Sequence, residues 1–129
     1  LDTEITDVLT PTNDVIKGEE LAFAPDYQGN IRARYEWDLD NGMIAHVMPQ
    51  IVFSGSSWSD IIEINKIGLD SYVTGNLSFG VSKDNWMGEL YVNNINDERA
   101  ELSNNFVFDR ERTTIMRPLT VGVRFQIDF

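Results

Sequence analysis

The stretch TVGVRFQIDF, residues 120–129, alternates strictly. Val121, Val123, Phe125, Ile127 and Phe129 are apolar, while Thr120, Gly122, Arg124, Gln126 and Asp128 are small or polar. Successive side chains of a strand point to opposite faces, so this period of two predicts a strand with one greasy and one polar face. Chain ends usually fray. Here an aromatic residue closes the strand with no polar tail, which predicts order up to the last residue.

The same period recurs upstream. Over 86–94, Trp86, Leu90 and Val92 alternate with Met87, Glu89, Tyr91 and Asn93. Over 71–82, Val73, Leu77, Phe79 and Val81 stand against Tyr72, Thr74, Asn76 and Ser78. Over 27–38, Ile31, Ala33, Tyr35 and Trp37 stand against Gln28, Asn30, Arg32, Arg34, Glu36 and Asp38. The pattern is weakest over 43–54, where Pro49 lacks a ladder donor and predicts a bulge or an edge position. Tight turns fall at 38–42, where Asn41-Gly42 tolerates positive φ, and at 83–85. Long connections cover 7–25, 55–70 and 95–116. Within the second of these, IIEINKI reads as a short helix or an extra strand pair. The fold class is therefore all-β: an antiparallel up-and-down meander of about five long strands, roughly 9–12 residues each.

Composition narrows the function. The chain has 129 residues, enough for one domain, and a formal charge of −11. That acidity opposes nucleic acid and anionic lipid headgroups, both of which select Lys and Arg. There is no cysteine and a single histidine, His46, so neither a disulfide framework nor a thiolate or histidine metal cluster is available. No apolar run is long enough for a membrane helix. The opening LDTEITDV reads like the interior of a longer protein or a processed end.

Alternation alone fits two settings. A soluble sheet packs its apolar face on a core; a transmembrane barrel turns it to lipid and keeps the polar face on the lumen. Three features favour the barrel. Strand lengths match the roughly 9–11 tilted residues that cross a bilayer. Short and long connections alternate, as periplasmic turns and external loops do. Trp37, Trp86 and Phe129 all fall at the tight-turn level, as interface aromatics would.

These residues also resemble a family. LDTEITD (1–7) resembles the end of an upstream strand. KGEELAFAPDYQGNIRARYEW (17–37) resembles the lead-in to a late barrel strand of TonB-dependent outer-membrane receptors. SYVTGNLSFGVSKDNWMGELYVNNINDERAEL (71–102) resembles their penultimate hairpin, with Asn-Ile-Asn-Asp-Glu-Arg where the family usually reads Asn-Leu-Phe-Asp. RPLTVGVRFQIDF (117–129) resembles their ending. The resemblance covers nearly the whole chain. It implies the last five strands, plus the tail of a sixth, of a barrel of about 22 strands that surrounds an N-terminal plug. Five strands cannot close, so an open curved sheet is expected.

The resemblance further implies active uptake of a scarce small-molecule solute (siderophore iron, vitamin B12 or an oligosaccharide) at the outer membrane of a Gram-negative bacterium. The implied partners are outer-membrane lipid, the chain's own plug and through it TonB, and the barrel-assembly machinery. The machinery would read Gly122, Phe125, Ile127 and Phe129. Arg32, Arg34, Glu36, Glu89 and Arg124 would face the lumen and hold the plug.

Other chemistry is weaker. DLDNG (38–42) lacks the glycine and glutamate spacing of a calcium loop. His46 has no carboxylate two residues away and gets no role. The mixed-charge run from Asp97 to Arg112 reads as a solvated external loop. The Asn76-Leu77-Ser78 sequon sits in mid-strand. No nucleophile–base pair or phosphate loop stands out, so no catalysis, cofactor or metal is expected. The alternatives are a soluble all-β ligand- or carbohydrate-binding module, with Trp58, Trp86 and Tyr91 as stacking platforms, and a smaller porin-like barrel.

Overall fold

The cross-strand register explains why the alternation is so regular. In the computed structural model, which describes residues 3–9 and 15–129, Leu77 faces Val92 and Val92 faces Val121. The next apolar row is Phe79, Leu90 and Val123. Between them, on the other face, lies Ser78, Tyr91 and Gly122, followed by Gly80, Glu89 and Arg124. Like stands beside like on each face, which is the unit of sheet stabilisation.

The strands are β1 (Gln28–Arg32), β2 (Tyr35–Leu39), β3 (Met43–Ser54), β4 (Ser57–Trp58), β5 (Gly68–Leu69), β6 (Tyr72–Lys83), β7 (Trp86–Asn93), β8 (Glu101–Val107), β9 (Arg110–Ile115) and β10 (Thr120–Ile127). The main sheet runs β1-β3-β6-β7-β10, with β2 also on β3. It is an antiparallel meander, open rather than closed into a barrel, and no α-helix occurs among the described residues. Asn41 (φ 69°) and Gly42 (φ 71°) make the β2–β3 turn, and Asp84 (φ 50°) helps to close β6 onto β7.

Several boundaries differ from the sequence reading. The stretch 27–38 is interrupted at Ala33 and Arg34. Ala33 N–H donates to the Pro49 carbonyl at 3.2 Å, but proline has no N–H to return. The irregularity assigned to Pro49 is thus felt on the opposite strand, while β3 itself is continuous. The connection 95–116 is not a plain loop, because β8 and β9 form a hairpin within it. In the connection 55–70, IIEINKI holds a 3-10 turn at Glu63–Asn65, with the short β4–β5 pair on either side. Ordered strand ends at Ile127; Asp128 N–H still donates to the Asn85 carbonyl at 2.8 Å, and Phe129 is fully exposed. Residues 3–7 form no strand; Leu1 and Asp2, and residues 10–14 of the first connection, lie outside the described residues.

The chain divides into two compact units. The first comprises Leu1–Gly29, Phe53–Tyr72 and Arg99–Met116. In it, Trp58 Nε1–H donates to Glu20 at 2.9 Å, Lys66 lies 4.5 Å above the Trp58 ring, and Lys66 pairs with Glu19. Leu69 is buried there. At the β8–β9 tip, Phe108 and Asp109 take φ of 49° and 58°, the left-handed geometry of a two-residue hairpin turn.

The second unit comprises Asn30–Val52, Val73–Glu98 and Arg117–Phe129 and carries the cross-strand rows. Its stitching comes from the Asn94–Asp97 turn. Asn94 accepts from Glu98 N–H at 2.9 Å and donates to the Glu98 and Arg117 carbonyls at 2.9 and 2.8 Å. Asn96 bridges two backbone groups of β6, accepting from Gly75 N–H at 3.1 Å and donating to the Val73 carbonyl at 2.8 Å. Asp97 accepts from Leu119 N–H at 2.8 Å, just before β10. Asparagine also tolerates the positive φ of 55° at position 94.

Asn94→Ala should therefore destabilise the protein by about 2–4 kcal/mol, since it strands backbone carbonyls as well as losing bonds. Asn94→Gly keeps the backbone angle and should stay nearly as unstable in a denaturant titration. Full recovery in the glycine variant would show that the bonds contribute little.

Candidate functional site

The apolar face of the second unit is open, while its polar face is buried chiefly around Glu89; Arg34, Glu36, Arg124 and Gln126 on that face are exposed. Val123 is 77% exposed and Phe125 is 65% exposed, with Leu77, Phe79, Leu90, Val121 and Ile127 also open. On the polar face His46 is 1% exposed and Glu89 is 7% exposed, and Thr74 and Ser78 are buried as well. Each large apolar side chain left in water forgoes about 1.5–3 kcal/mol of burial. An uninterrupted apolar face of this kind marks a surface that meets something apolar.

The polar face is organised around Glu89. Arg124 Nη1–H donates to one carboxylate oxygen at 2.8 Å, and His46 Nε2–H donates to the other at 3.2 Å. His46 belongs to β3 and Glu89 to β7, so the imidazole crosses β6 to reach its partner. Gly80 makes that crossing possible: a Cβ there would collide with the His46 ring. Gly122 plays the same part on β10, where a Cβ would collide with the Tyr91 ring. Arg124 in turn sits 5.7 Å from the Tyr91 ring centroid, within cation–π range. The two mid-strand glycines thus clear lanes for side chains lying flat against the wall.

The structure brings together two of the five proposed lumen residues, Glu89 and Arg124, and adds His46, which sequence reasoning left without a role. Arg34 and Glu36 form a separate pair at 2.7 Å, about half exposed, in an arrangement worth about 0–1 kcal/mol. Glu36 stands directly across from His46 in the β2–β3 register. Arg32 is exposed in β1. The signal for the His46–Glu89 pair was the glycine in the middle of β6.

The aromatic pairs of the second unit lie on the other face. Trp37 stacks with Tyr35 at 5.6 Å and tilts against Phe79 at 6.1 Å, over the fully buried Ala45 opposite it. Trp86 stacks with Phe125 at 6.3 Å. Phe125 and Ile127 lie exposed on this face, and Gly122 lies under Tyr91 on the other. Among the described residues no group of three or more acidic, cysteine or histidine side chains is placed to hold a metal ion. None of their helices is long and apolar enough to cross a membrane, which has no bearing on crossing by strands. No protein-family model, curated protein or solved structure matches the chain.

Gly80→Ala should cost about 1–3 kcal/mol by overpacking against His46. Gly75→Ala meets open space and should be neutral or stabilising by up to about 1 kcal/mol. The two denaturation midpoints, compared in the full-length protein, check the lane. Equal costs at both positions would remove it.

Proposed function

We propose that this chain is a segment of a transmembrane β-barrel of the outer membrane, from a TonB-dependent transporter that takes up a scarce small solute. The observation that carries the reading is the open apolar face of the second unit, set against the polar cluster buried around Glu89. That cluster is a carboxylate held by a histidine and an arginine. A sheet in water gains by covering its apolar face with a core. A sheet between hydrocarbon and an aqueous lumen gains by turning that face to lipid.

The sequence resemblance to TonB-dependent receptors supports the transporter class within that reading. In it, the open sheet is completed by further strands, since lipid tolerates no unpaired strand edge. Outer-membrane lipid contacts Leu77, Leu90, Val123 and Phe125. Trp37, Trp86 and Phe129 mark one interface. An N-terminal plug, gated through TonB, contacts the wall built by Glu89, Arg124 and the Arg34–Glu36 pair. The barrel-assembly machinery reads the β10 ending, Gly122, Phe125, Ile127 and Phe129. No catalytic step is part of the proposal.

Adjacent positions of β10 provide the test. Within this chain there is no cysteine, so Phe125→Cys and Gln126→Cys can each carry one nitroxide label in the full-length protein, reconstituted in lipid. The label at 125 should relax with oxygen, which concentrates in hydrocarbon, and the label at 126 with a water-soluble nickel chelate. Chelate access at both positions would overturn the membrane reading and favour the soluble binding module.

A further inference from the structure

The polar face of the second unit contains a hollow of about 210 Å³ beside the Glu89 network, lined by Gln50, Asn76, Ser78, Tyr91, Asn93 and Arg124. Ser78 is 6% exposed, and its hydroxyl has no hydrogen-bond partner in the protein. A buried hydroxyl left unanswered is costly and calls for a partner.

The chemistry around it is specific. Each oxygen of Glu89 accepts one bond, from Arg124 or from His46, so its charge is already partly balanced before a cation arrives. Arg124 is paired with the same carboxylate while its remaining N–H donors stay open, so the site as a whole carries little net charge. Asn76 donates to Gln50 Oε1 at 3.4 Å and accepts from Asn94 N–H at 2.9 Å, so the groups most open to a ligand are the amide of Asn93, the amide N–H groups of Gln50 and the hydroxyls of Ser78 and Tyr91. Amides and hydroxyls both donate and accept. The hollow therefore suits a ligand that does both on closely spaced groups and carries no net charge.

We propose that this hollow is a contact site for a neutral polyhydroxylated solute, a saccharide, and that it takes one ring of a longer chain. Its volume is below the roughly 300–1,000 Å³ of sites that enclose a whole drug-sized ligand. The inference rests on the transporter reading, within which it selects the saccharide class over charged chelates.

Met48 also lines the hollow and supplies the probe. The full-length protein, labelled with ¹³C at its methionine methyls and held in amine-oxide micelles, is titrated with maltotriose, cellotriose and xylotriose, and separately with ferric citrate. The detergent must carry no sugar headgroup. At least one trisaccharide should shift the Met48 methyl saturably, and ferric citrate should not.

Ser78→Ala removes a hydroxyl that bonds nothing in the protein, so its denaturation midpoint should hold or rise. Saccharide binding should weaken about fivefold. Absence of any saccharide shift, a shift by ferric citrate alone, or equal binding by the variant would overturn the proposal. Heat-modifiable gel migration of the same samples keeps the two readings apart. A folded barrel that ignores sugars sinks only the saccharide site. Ser78-dependent sugar binding by a protein with no barrel behaviour keeps the ligand class and overturns transport.

Discussion

A buried carboxylate has to be answered, and Glu89 is answered twice. Arg124 reaches it from the neighbouring strand, and His46 reaches it from two strands away across Gly80. Removing both partners would leave the buried carboxylate without a counterpart, the costliest kind of defect in a folded protein. This pairing fixes the register of β3, β6, β7 and β10 on one face. Since side chains alternate, it fixes the other face as well. Val123 and Phe125 point outward because Arg124, between them, points at Glu89.

That constraint turns the apolar face into a statement about the surroundings. Leu77, Leu90, Val121, Val123 and Phe125 line up in cross-strand rows and remain open. The rows are continuous across three strands, which sets them apart from the scattered surface leucines of ordinary proteins. Tyr35, Trp37 and Phe79 cluster on the same face, as do Trp86 and Phe125. Amphipathic rings suit a boundary between hydrocarbon and water. On the polar face Glu89, His46 and Arg124 satisfy one another, while the Ser78 hydroxyl beside the hollow has no partner.

The strands were legible in the sequence because alternation is a local property of a strand. Residues 120–127 carry it without any help from the fold. The β2–β3 turn was legible for the same reason, since Asn41-Gly42 marks it chemically. The β8–β9 hairpin was hidden because its strands mix polar residues on both faces and its turn is Phe108-Asp109, without glycine or asparagine. Pro49 announced an irregularity, but which strand would bear it depended on pairing: Ala33 loses the bond that Pro49 cannot donate. The His46–Glu89 pair lay beyond reach because the two residues are 43 positions apart and meet only across a third strand. Gly80 was the local trace of that contact, but a glycine inside a strand marks a bulge or a sharp bend just as readily.

The central claim is that hydrocarbon covers the rows Leu77–Val92–Val121 and Phe79–Leu90–Val123. It is tested most directly by intermolecular nuclear Overhauser effects in the full-length protein, methyl-labelled at Leu and Val and embedded in lipid nanodiscs. Cross-peaks from Leu77, Leu90, Val92 and Val123 methyls to acyl-chain methylenes are the predicted result. Cross-peaks to water, or to a second layer of protein side chains in place of lipid, would contradict it.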